Sequence, residues 1–156
     1  MENRKLVLKQ WFLVTIGSFL LLILSFAMYY MLFMIFERVI RSGEHYAFVS
    51  YLRVGHGIFW LILCIGLYFS KIRDWLKACF LAMGMSTFLT AISVQLYEKA
   101  WISIVFPASI ILLAAFLLFK FKMKWYHYYA LGLVIIALII YYFVIRYVGR
   151  LTIICK

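Results

Sequence analysis

The side chains with the greatest capacity for chemistry stand close together in one short segment of this chain. Glu44 and His45 are followed, with aromatic residues between, by Arg53 and His56. A carboxylate, a guanidinium and two imidazoles can bind a ligand or exchange protons near neutral pH. These four residues are the candidate ligand-binding group. The alternative interpretation is a solvated loop with an aromatic anchor.

Other catalytic signatures are missing from the sequence. None of the five acidic residues lies within an apolar segment, and intramembrane acids are the usual proton carriers of transporters and membrane enzymes. Cys64, Cys79 and Cys155 form no C-x-x-C pair, and neither an H-E-x-x-H nor a G-x-S-x-G motif occurs. His56 and His127 begin different apolar segments on opposite faces, so they could not share a haem. We expect no catalytic residues, no metal and no cofactor.

Composition identifies the elements that must position these residues. Hydrophobic residues make up 69% of the 156 residues and charged residues only 13%, whereas a soluble domain carries roughly a quarter charged residues. The charges separate five uncharged segments, and roughly 20 residues suffice for a helix to cross the bilayer. We predict an all-α polytopic membrane protein, a single bundle over residues 1–156 without a soluble domain. Its spans lie at about 10–36, 54–70, 78–97, 100–119 and 125–145; four spans, with a re-entrant pair, are the alternative.

The lysines and arginines predict the orientation. One side of the predicted bundle carries Arg4, Lys5 and Lys9, then the clusters within 71–77 and 120–124, a modest excess over the other side. Because basic loops remain in the cytoplasm, the N-terminus is predicted inside and the C-terminus outside. The basic residues flank apolar segments, so the net charge of +11 predicts contact with the lipid bilayer and no nucleic-acid partner. Short loops and a Lys/Ile/Phe/Tyr-rich composition indicate a bacterial plasma-membrane protein.

Small residues in the third segment predict helix packing. Ala82, Ser86, Thr90 and Ser93 recur at intervals that place them on one helical face, where backbones can approach and hydroxyls can bond across. Lining a polar pathway is the alternative role of this face, and Leu89 is placed on another face. In the fourth segment, Pro107 removes a backbone hydrogen bond and predicts a kink.

One pattern resembles a known family. Between about Ala78 and Phe143, a small-residue span, a proline-bearing span, a lysine-rich turn and "YALGLVIIALIIYYF" follow one another. This part, less than half of the chain, is similar to a helical hairpin of the drug/metabolite transporter superfamily. The turn carries lysines where that family often has an acidic residue.

These features favour a non-enzymatic protein that acts through helix–helix contacts. The first hypothesis is an accessory, immunity or regulatory protein whose partner is another membrane protein or a second copy of itself. The second is a small oligomeric transporter, lipid flippase or pore subunit. The third is a lipid-modifying enzyme that uses the group at Glu44, His45, Arg53 and His56.

Overall fold

Five helices account for the secondary structure of the part of the chain that the structure describes. A computed structural model describes residues 2–40, 47–97 and 99–154, with side chains described within 7–39, 48–97, 99 and 101–144. These parts of the chain contain no strand. The helices are α1 (Glu2–Ile40), α2 (Ala47–Tyr68), α3 (Asp74–Gln95), α4 (Ala100–Lys120) and α5 (Trp125–Ile154).

Each helix contains a segment long and apolar enough to cross a membrane, which confirms the predicted five-span, all-α membrane fold. The segments are Val7–Val39, Phe48–Tyr68, Asp74–Gln95, Trp101–Lys120 and Trp125–Val144. The helices run further than the uncharged segments because Lys, Arg and Glu are good helix formers whose charged ends can extend toward the interface. In particular, α2 begins at Ala47 and not near residue 54. Arg53 therefore lies in the second turn of a helix.

The third helix forms the centre of the bundle. It packs against all four other helices, and 61% of its apolar window is buried, compared with 6% in α1 and 17% in α4. Ala78, Cys79, Met83 and Leu89 of this helix are completely buried. The other helices keep broad apolar faces turned outward, where lipid replaces the protein core as the apolar surroundings.

Glycines allow α2 and α3 to approach closely. A β-carbon added to Gly57 would lie 3.1 Å from the Phe88 Cα, and one added to Gly84 would lie 3.1 Å from the Trp60 carbonyl oxygen. Both distances are tighter than ordinary van der Waals contact. The two backbones therefore meet where each helix has no side chain, the arrangement that small residues permit between membrane helices.

Contacts between helix ends establish which segments lie together. Trp11 of α1 stacks on Tyr129 of α5 with ring centroids 5.1 Å apart, and the Lys124 ammonium lies 2.7 Å from the Asp74 carboxylate. The starts of α1, α3 and α5 therefore share one end of the bundle, which also carries Lys9 and the 121–124 turn. We call it the lysine-rich end. The opposite end holds Ser50, Gln95 and Tyr142, whose contacts are described below.

Candidate functional site

The structure describes only half of the predicted ligand-binding group. Glu44 and His45 lie outside the described residues. Arg53 and His56 both belong to α2, but their surroundings differ: the ring of His56 contacts Tyr29 of α1, whereas the buried Nε atom of Arg53 has no hydrogen-bond partner among the described residues. The two described members therefore form separate environments.

His56 connects α1 to α2. Its Nε2 accepts a 2.9 Å hydrogen bond from the Trp60 indole. The ring lies edge-on to Tyr29, with centroids 5.5 Å apart. An Nε2 atom that accepts a bond requires the proton of the neutral ring on Nδ1. The acceptor nitrogen is thus occupied by a structural contact within α2, which together with the Tyr29 ring supports a positioning role in the fold for His56.

An apolar cavity adjoins this histidine. Its volume is about 540 Å³, and its walls come from residues 28–36 of α1 and 48–59 of α2. Phe36, Phe48 and Phe59 line it, and His56 is one of its few polar neighbours. Apolar cavities exclude water and accept apolar molecules. Since the flanking segments span the membrane, hydrocarbon chains of lipid are the molecules at hand.

Arg53 lies in a different, polar environment at the opposite end. The side chain is partly buried, and its Nε atom is buried without a hydrogen-bond partner. The hydroxyl of Tyr141 in α5 is likewise buried without a hydrogen-bond partner among the described residues. α2 and α5 each pack on α3, and no close backbone contact joins α2 to α5 in the described part of the chain.

Further hydrogen bonds lie at the same end of the bundle. The Ser50 hydroxyl donates to the Gln95 side-chain oxygen and so links α2 to α3. The Tyr142 hydroxyl lies 3.2 Å from the Ser93 hydroxyl of α3 and donates to the Ser103 backbone carbonyl of α4. Consequently α2, α3, α4 and α5 are connected by polar contacts at the opposite end.

Tyr141 and Tyr142 were not among the candidate residues predicted from the sequence. They lie inside an apolar run, where a tyrosine usually indicates only proximity to the membrane interface. The available signal was their position: they stand about 24 Å along the helix from Trp125, near the far boundary of a 30 Å hydrocarbon core. That position places them at the depth of Arg53 once α2 and α5 are known to be antiparallel.

The predicted small-residue face of α3 is largely buried. Ala82, Ser86 and Ser93 are buried, and Thr90 is partly buried. The expectation that the hydroxyls bond across helices holds for Ser93, whose partner is Tyr142. The Thr90 hydroxyl instead donates to the Ser86 carbonyl of its own helix.

The prediction that Leu89 lies on a face of α3 other than the small-residue face is wrong. Leu89 has no exposed surface. It stands seven residues after Ala82, about two helical turns, and so lies on the same face of α3 as the small residues. Gly57 of α2 packs against Phe88 and Ala91, which lie outside the small-residue face. The central helix therefore has no single packing face.

A second polar cluster lies at the lysine-rich end. His127 is only 2% exposed, its Nδ1 lies 3.3 Å from the Lys124 carbonyl, and its Nε2 is buried without a partner. Its ring contacts Tyr68, whose hydroxyl is likewise buried and unpartnered. Nearby, the hydrogen bond to the Asp74 carboxylate raises the pKa of Lys124 above its usual value. The His127 Nε2 atom and the Tyr68 hydroxyl are both buried and unpartnered, and two such groups can share one water molecule.

The positions of the histidine, cysteine and acidic side chains determine whether they can bind a metal ion or act as reactive thiols. Among the described residues, no group of three or more His, Cys, Asp or Glu side chains is placed to hold a metal ion. Cys64 and Cys79 are buried free thiols, and the Cys79 sulfur lies 3.7 Å from the Val14 carbonyl of α1. Thiols in such surroundings pack as small apolar groups.

Comparisons with known proteins gave no match: no protein-family model, no curated protein and no solved structure matches this chain. The resemblance to a drug/metabolite transporter hairpin therefore rests on the residue pattern between Ala78 and Phe143 alone.

Proposed function

We propose that this protein is a non-enzymatic accessory, immunity or regulatory protein that acts by binding a transmembrane helix. The partner is another membrane protein or a second copy of this chain. We also propose that the lysine-rich end faces the cytoplasm of a bacterial cell and that the C-terminus lies outside, because short basic loops remain inside.

One observation carries this proposal: two glycines of α2 have open space beside them, and one of these, Gly55, lies in the wall of the apolar cavity. No atom lies within 4 Å of the position that a β-carbon would occupy at Gly55 or at Gly66. The two glycines are about three helical turns apart and therefore share a face, on which Ile62 is 64% exposed. A glycine inside a helix is less favourable than alanine by about 1 kcal/mol. Small residues facing outward allow a second helix to approach closely.

The packed interior supports binding over transport. Met83 and Leu89 at the centre of α3 are completely buried. The hydroxyls of Thr87 and Thr90 bond α3 itself, and that of Ser93 bonds Tyr142. A solute path would thus have to form between copies and not through one bundle. The enzyme hypothesis loses support as well, because the acceptor nitrogen of His56 is engaged by the Trp60 indole and its ring packs against Tyr29.

Photocrosslinking tests the proposal. A photoreactive amino acid at position 62 in native membranes should give a protein adduct of discrete mass, which also distinguishes a second copy from another partner. The matched control is position 113, since Leu113 of α4 is similarly exposed, at 58%. Gly66→Leu should abolish the adduct while the thermal stability is kept. Adducts with lipid alone at position 62, as at position 113, would contradict the proposal.

A further inference from the structure

The apolar cavity between α1 and α2 is built from two continuous rows of side chains. On α2 the wall residues recur at intervals of three, four or one between Phe48 and Phe59, and on α1 every fourth residue from Met28 to Phe36 contributes. These intervals place each row on one face of its helix. At 1.5 Å per residue, the row on α2 is about 16 Å long. The cavity is therefore elongated and follows the two helices.

Aromatic contacts hold the two walls of the cavity together. Phe48 of α2 stacks on Phe33 and Phe36 of α1, with ring centroids 6.0 and 6.5 Å apart. Further along the same walls, His56 meets Tyr29 edge-on at 5.5 Å. The space beside these contacts is thus formed before anything binds, as ligand pockets usually are.

The cavity occupies the depth of one leaflet of the bilayer. The apolar segment of α2 runs from Phe48 to Tyr68, and the wall residues take up its first 16 Å or so, about half of a 30 Å hydrocarbon core. Tyr51 lies in the wall near the start of the segment and is 80% exposed, as is typical of tyrosines at the membrane interface. Phe59, deeper in the wall, is also exposed. A hydrocarbon chain of that leaflet can therefore enter sideways from the lipid.

The volume of the cavity distinguishes a lipid chain from a protein helix. A helix with its side chains is 10–12 Å across, so a 16 Å length of it occupies more than about 1,200 Å³, whereas the cavity holds about 540 Å³. A helix would lie over the opening without filling it. The wall also requires no polar group from its ligand, because the acceptor nitrogen of His56 already bonds the Trp60 indole. A hydrocarbon chain is complementary to such a wall.

From these observations we infer that the cavity between α1 and α2 binds one hydrocarbon chain of a phospholipid from the leaflet at the opposite end of the bundle. The chain fills the space that α1 and α2 leave between them and lies along Gly55, which has no side chain to exclude it. Ile62 and Gly66, where the proposed partner helix is tested, do not line the cavity. The lipid site therefore does not rest on the proposed function.

Lipid retention measured by native mass spectrometry tests this site. The purified full chain, mixed with phosphatidylglycerol in mild detergent, should retain one phospholipid. Gly55→Leu fills the cavity without a clash, because no atom of the described residues lies within 4 Å of a β-carbon there. We expect it to lower retention by at least about tenfold, since the loss of apolar contact for about two methylene groups already has this effect. Gly132→Leu is the matched control: its β-carbon position on α5 is equally open, and it does not line the cavity.

A second variant and a photoreactive lipid complete the test. Leu32→Trp fills the cavity from the α1 wall and provides the test if Gly55→Leu does not fold. A phospholipid with a diazirine midway along one chain should label residues within 28–36 and 48–59 in the wild type and lose these adducts in Gly55→Leu, while adducts at the exposed Leu112 of α4 persist. Equal retention by the wild type and both filled variants would overturn the inference. So would a wild-type dimer that retains no lipid, because a second copy would then cover the cavity.

Discussion

The hydroxyl of Tyr142 donates a hydrogen bond to the backbone carbonyl of Ser103, four residues before Pro107. In an α-helix that carbonyl accepts a bond from the N–H of residue 107, and proline has no N–H. A side chain of α5 thus satisfies the backbone group that the proline of α4 leaves without its helical donor. Since α4 is otherwise mostly exposed, this contact contributes to holding it on the bundle.

We therefore predict that Tyr142→Phe lowers the free energy of unfolding by about 0.5–1.5 kcal/mol, the usual net contribution of one hydrogen bond. Pro107→Ala restores the helical N–H, so the double variant Tyr142→Phe with Pro107→Ala should recover most of the loss. Chemical denaturation in detergent micelles measures all three variants. Equal losses for Tyr142→Phe with and without Pro107→Ala would show that the carbonyl does not matter.

The contact between Gly57 and Phe88 gives the second prediction. Gly57→Val should lower the unfolding free energy by about 1–3 kcal/mol, because added carbon atoms in a packed interface force the helices apart. Gly132→Val is the control, since nothing lies within 4 Å of a β-carbon at Gly132 of α5. Thermal melts of the two variants should separate clearly, and matching melts would refute the close approach of α2 and α3.

The third prediction concerns α3. Ser86→Leu should destabilise the bundle because it introduces a large side chain at a buried position. Leu89→Ala should also destabilise it, by about 2–5 kcal/mol, because it leaves a cavity. Leu112→Ala on α4 should have little effect, since Leu112 is 70% exposed and lipid fills the space. The measurement is unfolding in lipid–detergent mixtures. Tolerance of Leu89→Ala equal to that of Leu112→Ala would contradict the central position of α3.

The fold class could be predicted from the sequence because lipid imposes it. A backbone in hydrocarbon must satisfy its own hydrogen bonds, so long apolar segments between charges must be helices. The burial of individual residues could not be predicted in the same way. Lipid-facing and core-facing side chains are both apolar in a membrane, so hydrophobicity does not distinguish Leu89, which is buried, from Leu112, which is exposed.

The candidate site could be predicted only in part. Arg53 and Pro107 stand out in the sequence as a charge and a helix breaker. The side chain that compensates for the proline, Tyr142, comes from α5, far along the chain. Such pairings depend on how α5 is rotated about its axis, and small residues and packing determine that rotation, with no local signal.

The orientation gives the fourth prediction. In a variant without Cys64, Cys79 and Cys155, a cysteine at position 122 should react with an impermeant maleimide only after the membrane is opened. A cysteine at position 99 should react in intact cells. The physical reason is that the basic segments at the lysine-rich end are retained in the cytoplasm. The reverse labelling pattern would invert the proposed topology while leaving the fold unchanged.

The last prediction concerns His56 and tests whether this residue stabilises the packing of α1 on α2 or binds a ligand. Its Nε2 accepts the Trp60 indole hydrogen bond, and its ring lies against Tyr29. His56→Ala removes the acceptor and leaves the indole N–H unpaired, which should lower the unfolding free energy by about 1–3 kcal/mol. His56→Gln supplies a side-chain oxygen that can accept the same bond, so it should restore part of this loss. Denaturation followed by tryptophan fluorescence measures both variants. If His56→Ala kept full stability and lost the biological effect of the protein, His56 would be a ligand-binding residue after all.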